Sequence, residues 1–193
     1  GMSSRQCYIL TGMELVYEVS GQSWVRPARP VPFNSPMDQV LFCNLGGIHT
    51  STIMAPRKLF LKYPFDERQK IHEDWQWLLE AGAEAQLLLV PKVVSERLID
   101  PNVGLSRPGG YLYTRHWYMR NRHLLSPKAR AGFASNILSR KASHDRKWSA
   151  IPWLLAEVSR SAPLSLLYYG WLFVPWVLPP GIRRLMKGII LRG

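Results

Sequence analysis

The sequence has few cysteines, no long apolar segment and almost no acidic residues in its second half. Cys7 and Cys43 lie too far apart to give metal-ligand spacing or a disulfide framework, which is typical of a reducing compartment. The N-terminus has no basic stretch followed by a long apolar run, so no secretory signal is expected. The main apolar run, residues 164–178, is shorter than the ~20 residues of a membrane-spanning helix and contains Pro175.

Composition still allows a substantial core. The 193 residues are 47% hydrophobic and 11% aromatic, which excludes bulk disorder. Fifteen prolines and fourteen glycines indicate many loops. Most of the eight tryptophans are expected in the core. Sugar stacking and an interfacial belt are the functional alternatives.

The net charge of +12 is concentrated in the second half of the chain. Residues 1–106 hold ten Lys or Arg against eleven Asp or Glu, whereas residues 107–193 hold fifteen against two. This asymmetry predicts a neutral globular part joined to a part that meets anions, either phospholipid or nucleic acid.

Residue patterns predict an α/β fold in two parts, 1–110 and 111–193. The clearest helix runs from His72 to Gly82, because its acids stand in the first turn and glycine ends it. Residues 24–36 carry four prolines and predict an irregular loop. The other predictions are strands at 14–19, 50–54 and 87–94, short helical segments at 37–43 and 57–61, and helices at 111–124, 128–141 and 147–160.

Four short motifs follow one another between residues 44 and 80. They are Thr50-Ser51-Thr52-Ile53-Met54, Arg57-Lys58-Leu59-Phe60, Phe65-Asp66-Glu67 and Glu73-Asp74-Trp75-Gln76-Trp77. This ordered series resembles the second half of family 2 glycosyltransferases, and looser similarity extends from about residue 14 to about residue 125. The resemblance implies a partial GT-A (Rossmann-like) sheet with a C-terminal helical extension. It also implies transfer of a sugar from a nucleotide sugar to a glycan or lipid-linked acceptor, with inversion, as in bacterial polysaccharide biosynthesis.

The resemblance gives Asp74 the role of catalytic base. An acceptor hydroxyl attacks poorly until a positioned carboxylate takes its proton. Glu73 is expected to contact the acceptor or to orient the neighbouring loop. The structural alternative for both acids is compensation of the helix dipole, worth only ~0.3–1 kcal/mol per charge.

The same resemblance extends to further binding residues. Trp75, Thr50 and His49 are expected on the acceptor side, although a tryptophan here also suits the core. Arg107, Arg120 and His116 are expected to meet the donor or a phosphate, with a solvated loop as the alternative for Arg107. His116 and His123 are predicted to share a helix face with Arg120, which suits phosphate better than metal. Asp66 is expected to form a turn.

The donor half of the family is missing from the sequence. A divalent cation, Mg²⁺ or Mn²⁺, is expected for these enzymes, but no Asp-x-Asp pair that would bind it occurs in the chain. A truncated chain, a partner chain that supplies the donor half, and a non-catalytic remnant are the three explanations. We expect no independent transferase activity.

The basic, aromatic tail predicts contact with an anionic membrane surface, and hence a peripheral position at the cytoplasmic face. Packing of these helices back on the domain is the structural alternative. A nucleic-acid-binding protein is the competing hypothesis for the basic half. It is disfavoured because there is no recognised nucleic-acid-binding motif. A non-enzymatic interaction module is the third option.

Overall fold

A computed structural model describes residues 7–19, 21–27, 31–32, 34–43, 47–69, 71–99 and 110–178. The chain divides into two compact units, residues 1–108 and 109–193. The first contains a four-stranded, mostly antiparallel sheet, and the second is a region of about five helices. The expected α/β class and the C-terminal helical extension are confirmed at this level.

Strand β1 (Tyr8–Glu18) is the centre of the sheet. It pairs antiparallel with β2 (Ser23–Arg26) and β3 (Ile53–Met54), and parallel with β4 (Gln86–Ile99). Ile9 and Val16 on β1 are completely buried. The predicted strand at 14–19 is therefore confirmed within a longer element. The predicted loop at 24–36 is wrong at its start, because Trp24 and Val25 pair with β1.

The parallel pair of β1 and β4 is irregular near its middle. Its register shifts on both sides of Met13. Pro91, inside β4, has no N–H to donate to a ladder, and such residues favour bulges. Gly12 lies at the same point, and a Cβ there would approach Cγ2 of Val94 to 2.3 Å. The next β1 residue, Glu14, is almost completely buried.

Three helices follow the first strands. They are α1 (Met37–Cys43), α2 (Arg57–Lys62) and α3 (Glu73–Ala81), close to the predicted positions. Trp77 and Leu78 of α3 are buried, and the ring of Phe60 from α2 stacks on Trp77 at 4.6 Å. These contacts fix the orientation of α3.

The predicted strand at 50–54 is wrong for its first three residues. Residues Thr50–Thr52 form a 3₁₀ turn, and only Ile53–Met54 pair as a strand. The hydroxyl of Thr52 donates to the carbonyl of His49 at 2.8 Å. Such local side-chain hydrogen bonds compete with the ladder of a sheet.

The second unit consists of packed helices. They are α4 (Tyr111–Asn121), α5 (Pro127–Gly132), a π-helical segment (Phe133–Leu138), α6 (Ser139–His144), α7 (Ile151–Ser161) and α8 (Leu166–Val177). Oδ2 of Asp145, which follows α6, accepts a hydrogen bond from the N–H of Tyr111 at 2.6 Å and so caps the start of α4. The predicted helices at 111–124, 128–141 and 147–160 are confirmed with shifted ends.

A buried carboxylate joins α4 to α7. Glu157 is 1% exposed, and its Oε1 accepts a hydrogen bond of 2.6 Å from the hydroxyl of Tyr118. Nη2 of Arg122 lies 3.3 Å from the same oxygen. Burial and the nearby Glu157 carboxylate raise the pKa of Tyr118 far above its ordinary value.

Candidate active site around Asp74

The start of α3 holds Asp74 in place. Its Oδ1 accepts a hydrogen bond from the N–H of Trp75 at 2.8 Å, and its Oδ2 accepts one from the hydroxyl of Thr50 at 3.1 Å. A carboxylate has about four lone-pair positions, so each oxygen retains acceptor capacity. The side chain is therefore held in one orientation and can still accept further hydrogen bonds.

Burial raises the pKa of the Asp74 carboxyl above its ordinary value. The hydrogen bonds from Trp75 and Thr50 offset only part of this effect. Within the described residues no ion pair includes Asp74. A carboxylate that makes no ion pair and has a raised pKa is a better proton acceptor than an ordinary surface aspartate.

The turn that carries Thr50 is anchored to the sheet. Since the hydroxyl of Thr52 donates to the carbonyl of His49, it accepts from the hydroxyl of Thr11 on β1, 2.8 Å away. Thr11 and Thr52 are both buried. Thr50 therefore reaches Asp74 from a fixed platform.

A second carboxylate, that of Glu14, lies beside His49 at the start of this turn. Glu14 is 2% exposed, with Oε1 3.2 Å from Nδ1 of His49 and Oε2 3.1 Å from Nη2 of Arg97 on β4. Neither approach has hydrogen-bond geometry. Buried carboxylates need cationic partners, so Arg97 neutralises Glu14, and His49 does so when protonated.

Sequence reasoning missed both Glu14 and Arg97. One signal was present, because Glu14 stands two residues from Val16 and so shares its face of the strand. An acid at an inward position of an otherwise apolar strand indicates a buried pair. Its partner Arg97 has no such signal in the sequence, since the shifted register places it.

Glu73 occupies a different place from its neighbour. It lines a small pocket, with a cavity volume of about 10 Å³, next to the loop at 64–69. Oε2 of Glu73, Nε2 of Gln69 and Nε1 of Trp77 are buried around this pocket and make no hydrogen bond within the described chain. Asp74 is not among the residues that line this pocket.

Trp75 is partly exposed and packs against two aromatic rings. The imidazole of His72 stacks on it at 4.2 Å with an interplanar angle of 11°, and Phe42 of α1 meets it edge-on at 5.4 Å. His72 itself has a left-handed backbone, with φ of 69°. Part of the indole surface is thus covered within the first unit.

The remaining predicted residues lie elsewhere. His116 and Arg120 are exposed on α4 of the second unit. The helix ends at Asn121, so the predicted helix face shared with His123 is wrong. Arg107 lies outside the described residues. Asp66 forms the expected turn, since its Oδ1 accepts from the N–H of Arg68 at 3.0 Å.

The described ranges contain no group of three or more His, Cys, Asp or Glu side chains that would hold a metal ion. The side chains of these described ranges do not fit the expected Mg²⁺ or Mn²⁺.

None of the described helices has both the length and the apolar character needed to cross a membrane.

No protein-family model, curated protein or solved structure matches this chain.

Proposed function

We propose that the first unit is the acceptor-binding half of a family 2 glycosyltransferase of the GT-A fold. The observation that carries the proposal is the state of Asp74, a carboxyl fixed at a helix start by Thr50 and Trp75 and made more basic by burial. The ordered motifs between residues 44 and 80 supply the chemical class. The substrates are a nucleotide sugar and a glycan or lipid-linked acceptor.

In the proposed reaction an acceptor hydroxyl attacks the anomeric carbon of the nucleotide sugar. The new C–O bond forms as the bond from that carbon to the diphosphate oxygen breaks, and the nucleoside diphosphate leaves from the opposite face. Asp74 takes the proton of the attacking hydroxyl. General base catalysis of this kind contributes about 10²–10⁴-fold to a rate.

His49 and Thr50 position the base. Thr50 holds Oδ2 of Asp74, while His49 lowers the pKa of Asp74 electrostatically and is itself placed beside Glu14. Trp75 offers its uncovered surface to an acceptor ring. Glu73, beside the 64–69 loop, suits the loop-orienting role better than contact with the acceptor.

Turnover requires a donor-binding half that supplies nucleotide and cation ligands, because Asp-x-Asp does not occur in this sequence. The roles that the resemblance implies for Arg107, Arg120 and His116 toward the donor remain predictions. This donor half is supplied either by a further segment of the same polypeptide or by a separate chain.

The proposal is tested in the cells that produce the protein. Membranes are assayed for transfer of radiolabelled sugar from a panel of nucleotide sugars to endogenous acceptors. The assay compares wild type, a deletion, Asp74→Asn, and the control Asp66→Asn in the exposed turn. We expect Asp74→Asn to lower the chain-dependent transfer by about 10²–10⁴-fold and Asp66→Asn to leave it close to wild type. Unchanged transfer in Asp74→Asn at equal protein level, or no transfer that depends on the chain, would overturn the proposal.

A further inference from the structure

Helix α8 carries an apolar stripe on its exposed side. Leu166, Gly170, Phe173 and Val177 are exposed and recur at i, i+4, i+7 and i+11, which places them on one face of a helix. Leu166 is 84% and Val177 74% exposed. Leu164, just before the helix, is 94% exposed. Contiguous apolar surface of this kind marks an interaction site.

The opposite face of α8 is fixed to the helical unit. Tyr168 and Leu172 are buried. The hydroxyl of Ser143 donates to the carbonyl of Pro175 at 2.6 Å, and the indole N–H of Trp176 donates to the hydroxyl of Ser139 at 2.8 Å. Both serines lie on α6. The stripe is therefore the outer face of a helix whose rotation is set by these contacts.

Exposed basic and aromatic residues lie close to α8 at Trp176. Residues 110–178 hold ten Lys or Arg against two Asp or Glu, a net charge of +8. Arg146 and Lys147 are exposed and directly precede Trp148, which is 63% exposed. The ring of Trp148 lies 4.7 Å from that of Trp176 on α8. Cations, tryptophans and an apolar stripe in this arrangement match the headgroup region of an anionic bilayer.

We propose that α8 lies parallel to an anionic membrane surface and inserts this stripe at the boundary of headgroups and acyl chains. Its 12 residues span about 18 Å at the α-helical rise, against the ~30 Å of a hydrocarbon core. Only the parallel orientation buries the stripe along its whole length while the opposite face stays packed on α6. Arg146 and Lys147 meet the phosphates and carboxylates of the lipid headgroups. The inference does not depend on Asp74 or on sugar transfer.

The test is flotation of the full chain with vesicles of phosphatidylcholine and phosphatidylserine, and with vesicles of phosphatidylcholine alone. The variant Leu166→Glu/Phe173→Glu places two carboxylates on the stripe. The matched control Leu61→Glu/Leu98→Glu makes the same change at two exposed leucines of the first unit. Circular dichroism and thermal unfolding establish that both variants fold, which is expected because all four side chains are exposed.

We expect wild type to float with the anionic vesicles, and the binding to weaken as salt is raised. The stripe variant is expected to bind about tenfold more weakly or worse, and the control to bind as wild type. Arg146→Gln/Lys147→Gln is expected to reduce the preference for anionic over zwitterionic vesicles. Failure of wild type to float, or equal binding by the stripe variant, overturns the inference. Two further results would overturn the inference. One is a wild-type dimer that the stripe mutations dissociate, and the other is tight binding of duplex DNA without binding of lipid.

Discussion

The hydroxyl of Thr50 donates a hydrogen bond of 3.1 Å to Oδ2 of Asp74. This bond joins the turn anchored on β1 to the first turn of α3. It favours the ionised form of the carboxyl, whereas burial favours the neutral form. The balance between these two effects sets how readily Asp74 takes a proton.

Thr50→Val is therefore expected to raise the pKa of Asp74 further, because the bond that stabilises the carboxylate is lost. The measurement is a ¹³C NMR titration of the aspartate carboxyl groups. Ser51→Ala is the control, since Ser51 is an exposed neighbour in the same turn. A fall in the pKa, or an equal change in both variants, would contradict the assigned role of Thr50.

Asp74 also links stability to pH. Its pKa is raised above 3.8 in the folded chain, so folding favours the protonated form. The free energy of unfolding therefore falls as pH rises from about 3.8 through the folded-state pKa, and stays lower above it. Asp74→Asn removes this ionisation. We expect the variant to be more stable than wild type at pH 7.

Thermal unfolding at pH 3 and at pH 7 measures this effect. The advantage of Asp74→Asn is expected to shrink at the lower pH, where wild type is protonated in both states. Asp66→Asn serves as the exposed control. An Asp74→Asn variant that is less stable at pH 7 would show that the ionised carboxyl contributes to folding.

Arg97→Met is expected to destabilise the first unit, because it leaves the buried carboxylate of Glu14 without its arginine. Removing one partner of a fully buried pair costs about 3–5 kcal/mol. Since the Arg97 side chain is 33% exposed, we expect a smaller loss of about 1–3 kcal/mol. Urea denaturation measures it.

Lys92→Met is the matched control for this prediction, as Lys92 is an exposed cation on the same strand. Glu14→Gln combined with Arg97→Met is expected to recover part of the loss, because no unpaired charge remains buried. Equal effects of Arg97→Met and Lys92→Met would argue against pairing with Glu14.

Tyr118→Phe is expected to lower the free energy of unfolding by about 1–3 kcal/mol, because Oε1 of buried Glu157 loses its short hydrogen bond. Tyr111→Phe makes the same change on the same helix, at a hydroxyl with no hydrogen bond among the described residues.

The raised pKa of Tyr118 also predicts that wild-type stability falls above about pH 10, where only the unfolded state ionises. Urea denaturation at pH 7 and pH 11 measures both effects. The alkaline loss is expected to be smaller in Tyr118→Phe than in Tyr111→Phe, and equal losses would count against the assignment.

Local chemistry explains why α3 was predictable. Acids at its start and glycine at its end are signals that act within one helix, and the structure has α3 at Glu73–Ala81 against a prediction of 72–82. Thr50 and Asp74 are joined by a hydrogen bond of 3.1 Å. Their hydrogen bond, however, depends on the 3₁₀ turn that was predicted as a strand.

Long-range pairing explains what sequence reasoning missed. The contact of Glu14 with Arg97 depends on the register shifts near Met13, which no local pattern specifies. Glu73 and Asp74 are adjacent in the sequence but have different surroundings. Consecutive helical residues point about 100° apart, so one acid meets Thr50 and the other meets the pocket by Gln69.

The parallel pairing of β1 with β4 has a consequence for biosynthesis. The two strands enclose the whole stretch between Glu18 and Gln86, including His49, Thr50 and Asp74. β4 must therefore leave the ribosome before it can pair with β1. Contacts so distant in sequence form slowly. During that interval Glu14, which lies beside His49, lacks its partner Arg97. A nascent chain arrested before Arg97 would therefore hold the Glu14 carboxylate without its arginine.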